Sequence, residues 1–163
     1  MSEDEMSMLE DVEFGRPVDV LIWASRVYLM SLNRGRPVPR FVPETFEDGK
    51  LTYVYQALIR VIVRLIQSTN SVLQVHDPRC PCRSDHERAF IAALDSLQAE
   101  RTADYHEAMN WFLPRDAARD AFDDMCIIAS GLADMQRWWP TDTESEQTTA
   151  YTPPAATGSV LLH

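Results

Sequence analysis

The chain has 163 residues, 45% of them hydrophobic, with 5 glycines and a formal net charge of −10. That is enough apolar chain for one packed domain, and it excludes a wholly disordered chain and a turn-rich β-sandwich. The acidic balance argues against direct DNA or RNA binding, which needs clustered Lys and Arg on phosphates; a basic protein partner suits it better.

Residues 1–15 carry Glu3, Asp4, Glu5, Glu10, Asp11 and Glu13 with no cation. This reads as a flexible acidic tail. It lacks the basic start and apolar run of a secretory signal, and no 18-residue apolar stretch follows anywhere, so no membrane span is expected. Three cysteines, an odd number, point to a reducing compartment, and the expectation is a cytoplasmic protein. Of the 15 cationic residues, only Lys50 is not Arg, and Arg is the better residue for paired or interfacial roles.

Residues 16–140 are expected to form the helical domain. Pro17 to Leu32 is the first helix, with proline in its first turn and apolar residues over most of its circumference. Asp19 and Arg26, seven apart, lie on one polar line. Asn33-Arg34-Gly35 ends it. Residues 33–50 read as a loop, with Phe41 and Phe46 pinning it to the core and Asp48-Gly49 as a turn.

Leu51 to Val75 reads as a long central helix. Its density of β-branched residues suggests a strand, but Thr52, Gln56, Arg60, Arg64, Gln67, Ser71 and Gln74 recur at steps of three and four, one stripe on a helix. Arg60 and Arg64 repel unless a carboxylate answers them, which makes them candidates for contact with an acidic helix or a partner. Ser84-Asp85-His86-Glu87 matches a capping box and starts the next helix, whose dry face is Phe90, Leu94 and Leu97. A break is expected at Glu100-Arg101-Thr102, with Thr102 as a new N-cap. Arg115 to Trp138 is the last helix, with Asp124 on its wet side and Cys126 on the flank of its dry side as a small buried hydrophobe. Residues 141–163 are polar, then Pro- and Thr-rich, and read as a disordered tail. The fold class expected is all-α, a four- to five-helix bundle-like domain with both tails disordered.

Chemistry concentrates in His76-Asp-Pro-Arg-Cys80-Pro-Cys82-Arg-Ser-Asp-His86. Pro81 biases Cys80 toward extended backbone, so the two thiols face one side, where His76 and His86 can join them. Two thiolates and two imidazoles are a sound ligand set, with zinc as the candidate metal, although the Cys-x-Cys spacing is tighter than the usual C-x2–4-C. The alternative is redox chemistry. Arg79, Arg83 and a helix N-terminus favour thiolate, while Asp77, Asp85 and Glu87 oppose it, and a Cys80–Cys82 disulfide would sit near the geometric limit. The third reading is an ordinary loop of reduced cysteines.

His106-Glu107 carries no H-E-x-x-H pattern and reads as surface. Glycine-rich phosphate loops and a G-x-S-x-G elbow are absent from the sequence. The expected function is therefore non-enzymatic: an adaptor, accessory subunit or regulator that binds another protein, with a homo-oligomer compatible. Arg60, Arg64, Trp138 and Trp139 are the candidate interaction residues. The competing readings are a zinc-binding or thiol-redox-responsive protein using the cysteine loop, and an acidic inhibitor that mimics nucleic acid.

Overall fold

The structure, a computed structural model, describes residues 14–48, 51–68 and 73–138. Among the described residues there are seven helices and no strand. They are α1 (Pro17–Asn33), α2 (Phe41–Asp48), α3 (Thr52–Ser68), α4 (Asp85–Gln98), α5 (Thr102–Asn110), α6 (Arg115–Asp120) and α7 (Phe122–Trp138). None of the described helices is long and apolar enough to cross a membrane. Of the tails expected at residues 1–15 and 141–163, residues 1–13 and 141–163 lie outside the described residues, and Phe14 packs edge-on against Trp23 with ring centroids 5.3 Å apart.

The all-α class stands, but four local expectations need correction. The loop after α1 contains helix α2, although Pro43 sits in it. Pro43 is the third helical residue, where the backbone N–H has no partner within the helix, so its absence costs nothing. Phe46 does enter the core, at 1% exposure. The central helix does not reach Val75: it is described as Thr52–Ser68, and Leu73 to Asp77 is irregular. The polar stripe continues past Ser68, so periodicity alone did not mark the end.

The last helix is divided at Ala121. The buried Tyr105 hydroxyl donates to the Ala118 carbonyl at 2.8 Å. That is the acceptor a continuous helix would offer to the Phe122 N–H, and a side chain intruding on the ladder is a recognised cause of a helix break. The break before α5 is where the sequence places it, with Glu100 at φ 56°, but Arg101 holds the N-cap position and Thr102 is already helical.

The core runs through every layer. Leu21, Val27, Leu58, Val61, Leu94, Tyr105, Met125 and Ile128 are all nearly or fully inaccessible. α3 lies along α7, and α4 packs against both α5 and α7. At the α3–α7 seam, Gly131 faces Val54 so closely that a Cβ built on it would stand 2.2 Å from Val54 Cγ2. Glycine is therefore required there by close approach of the helices, not by its backbone angles.

Candidate thiol and metal site

The site begins with Arg26, midway along α1. It is 1% exposed, the largest of the fully buried side chains. The sequence reading put it on a wet line with Asp19; the packing of α4 and the cysteine loop over α1 buries it instead. A buried guanidinium must satisfy its charge and all five N–H donors. Arg26 Nε donates to Glu87 Oε1 at 2.6 Å and Nη2 to Glu87 Oε2 at 2.7 Å, a bidentate pair. Nη1 donates to the carbonyls of Asp77 (3.0 Å) and Cys80 (2.6 Å), and Nη2 to that of Cys82 (2.5 Å). One side chain thus ties three backbone carbonyls of the loop and the first turn of α4 to α1.

The capping box predicted at Ser84 is present. Glu87 N–H donates to Ser84 Oγ at 3.2 Å, and Ser84 N–H donates to Glu87 Oε2 at 2.9 Å. Ser84 Oγ donates in turn to the Gln74 carbonyl at 2.6 Å. Glu87 therefore caps α4 and neutralises Arg26 with the same carboxylate.

The loop has its own local order. Asp77-Pro78-Arg79-Cys80 is a turn closed by Cys80 N–H on the Asp77 carbonyl at 2.9 Å, with proline at its second position. Asp77 Oδ1 accepts from Arg79 Nε (3.1 Å) and Arg79 N–H (2.9 Å), and these bonds, the side-chain one foremost, hold its carboxyl below the usual carboxylate range. Arg83 Nη2 donates to Asp19 Oδ1 at 2.5 Å and fastens the exit of the loop to the start of α1.

On this base Cys80 and Cys82 form a disulfide. Their Cα atoms are 5.4 Å apart, inside the ordinary range of about 4.4–6.8 Å, so the expected geometric limit is not reached. Two residues of straight strand span about 6.6 Å, so the backbone bends at Pro81. His76, Cys80 and Cys82 each offer a ligand atom, and the three atoms lie within 4.8 Å of one another. Cys82 and His76 are exposed and Cys80 is half-buried.

His86 does not belong to this group. It packs on Trp111 and Phe112, with ring centroids 5.3 and 5.6 Å away. Its Nδ1 is buried without a hydrogen-bond partner, and burial lowers its pKa below the ordinary 6.5 against the opposing pull of Asp85 and Glu87. It lies in the first turn of α4, just after the loop in sequence, and its ring packs on the residues that follow α5 instead of on the cysteines.

Among the candidate interaction residues, Arg60 and Arg64 meet a carboxylate of this chain. Asp124 lies 2.7 Å from Arg60 Nη2 and 3.7 Å from Arg64 Nη2. The expected acidic helix is α7, and Asp124, read as wet, is 6% exposed. The side chain of Trp138 and the whole of Trp139 lie outside the described residues. Cys126 is half-buried rather than buried, and burial, then Asp123, raises its thiol pKa.

Sequence reasoning missed Arg26. The available signal was a single arginine inside a helix apolar nearly all round, because such a residue is buried only when paired. Compared with known protein families, with characterised proteins and with solved structures, the chain has no significant match.

Proposed function

We propose that this is a thiol-redox-responsive protein whose working element is the Cys80–Cys82 couple. The observation that carries the reading is the disulfide itself: it closes over a sequence separation of two, on an exposed loop, above a fully satisfied Arg26. A bond enclosing three residues restrains the unfolded chain by only roughly 1.5 kcal/mol, against about 3 kcal/mol for a 15-residue loop. Its structural value is small, which favours a chemical role. Exposed disulfides are also the readily reduced ones. Cys126, with its raised pKa, is the poorer nucleophile and serves as an internal reference.

The test is a thiol count against a series of redox buffers. Between the oxidised and reduced ends, two thiols should appear together, and mass mapping should place both in the loop. A chain that keeps three thiols under mild oxidation would sink the reading.

A second reading, an adaptor for another protein, is favoured by the groove beside the loop. It has a volume of about 790 Å³ and is lined by Leu32, Ile66 and Val75, all exposed, together with His76 and Pro78. A partner seated there would touch the loop and sense its oxidation state. Ile66→Glu should weaken such an association, or dissociate a homo-oligomer, in sedimentation velocity. Unchanged sedimentation of a chain shown to associate would exclude this face.

A further inference from the structure

We infer that the reduced loop is a three-ligand site for a borderline-soft divalent cation of the zinc class, held by His76, Cys80 and Cys82. The inference rests on the redox reading only in that the pair must be able to exist as thiols. Its ligand set differs from the four-residue set read from the sequence, because His86 is held on Trp111 and Phe112.

The distances fit. Tetrahedral zinc with Zn–S of about 2.3 Å and Zn–N of about 2.0 Å places its ligand atoms roughly 3.5–3.8 Å apart. The three atoms here already lie within 4.8 Å of one another. On reduction the sulfurs must part from bonding distance to about 3.8 Å, which rotation about the Cα–Cβ bonds supplies. The backbone need not follow, since Arg26 holds the carbonyls of Asp77, Cys80 and Cys82. A loop fixed before the ion arrives spends little binding energy on ordering.

The charges fit as well. Two thiolates offset a divalent ion, and the cation beneath them, Arg26, is neutralised by Glu87. Asp77 is engaged by Arg79. Three protein ligands on an exposed loop leave the fourth position to water or to an incoming group. That arrangement belongs to exchangeable or reactive sites, whereas structural zinc is closed by four protein ligands.

The steps balance. One equivalent of a thiol reductant attacks a sulfur of the disulfide as thiolate, forming a mixed disulfide and releasing the other cysteine sulfur as thiolate. A second equivalent displaces the first as the oxidised reductant, leaving two cysteine thiols. Binding of the divalent ion then releases two protons from them, so affinity falls as pH falls.

The full chain, reduced with a phosphine and kept under argon, would be titrated with Co²⁺ and then with Zn²⁺. Expected are thiolate-to-cobalt charge-transfer and tetrahedral d–d bands that saturate near one equivalent and are displaced by Zn²⁺. Cys82→Ser should abolish the charge-transfer bands. His76→Ala should weaken Co²⁺ binding at least tenfold, since loss of even a supporting group around a metal costs 10–100-fold. His86→Gln and Cys126→Ser should leave it unchanged, with circular dichroism confirming that each variant folds. Absence of the bands in a chain with three titratable thiols would overturn the inference and leave the redox reading intact. Bands that survive Cys82→Ser would overturn it too. Failure of the loop to oxidise would sink the redox reading alone, because the cobalt titration is performed on thiols.

Discussion

The contact around Arg26 of α1 and the α3–α7 seam hold the molecule by opposite means. Around Arg26 the contact is polar: five N–H donors meet five acceptors, three of them carbonyls of a segment with no helix of its own. At the seam the contact is steric: Gly131 lets α7 press onto Val54, and charges meet at its rim, where Arg60 and Arg64 reach Asp124. The difference follows from the backbone. A helix satisfies its own peptide groups, so two helices need only matching shapes. An irregular loop laid over a core presents carbonyls that something must satisfy, and a guanidinium can serve several at once.

The contrast predicts unequal sensitivity. Arg26→Met leaves Glu87 buried without its partner and three carbonyls without a donor. It should cost about 3–5 kcal/mol in urea unfolding. Adding Glu87→Gln, which keeps the α4 cap but removes the charge, should recover part of that loss. If Arg26→Met alone costs under 1 kcal/mol, the polar contact does not work as described.

Gly131→Ala probes the seam. Its Cβ overlaps Val54 and should cost about 1–3 kcal/mol despite alanine's better helix propensity. In a double-mutant cycle with Val54→Ala the two changes should couple by at least about 0.5 kcal/mol. Strict additivity would mean that the helices relax apart instead.

Reducing the Cys80–Cys82 bond should lower stability by no more than roughly 1.5 kcal/mol, measured by urea midpoints with and without reductant. Arg26, not the disulfide, holds the loop, so a larger loss would reverse their ranking. Tyr105→Phe should cost about 1 kcal/mol and allow α6 and α7 to join, with slower amide exchange at Phe122 as the marker.

The smallest effect is with pH. Burial depresses His86 below its ordinary 6.5, so the folded chain binds fewer protons than the unfolded chain between that value and the lower folded one. Stability should be full above about pH 6.5 and decline as pH falls through that window. His86→Gln should flatten the decline in a pH series of urea midpoints.

Much of this was legible from residue order. The period of polar residues in 52–68 identified α3, Ser84 and Glu87 announced the start of α4, and Glu100-Arg101 marked the break before α5. These features depend on neighbours within four positions, and local physics suffices for them. Helix α2 was hidden by a proline that counts against helix in any interior position but not in a first turn. The cysteine loop was legible as a cluster of sulfur and imidazole, but of its two histidines only His76 lies beside the sulfurs. His86 is near the cysteines in sequence, but the capping box commits it to α4, where Trp111 and Phe112 from beyond the next helix receive it.

The sequence by itself determined most of the helical segments, the stripe of polar residues on α3 and the place where two cysteines and two histidines are concentrated. Each depends on side-chain period, capping and spacing along the chain. Only the tertiary structure decided that Arg26 is buried, since its partners Glu87, Asp77, Cys80 and Cys82 lie 51–61 residues away. It alone decided that Asp124 faces Arg60 and that the α6–α7 break belongs to Tyr105. A charge is exposed or buried according to what packs over it, and that is a property of the fold, not of the residue's place on its own helix.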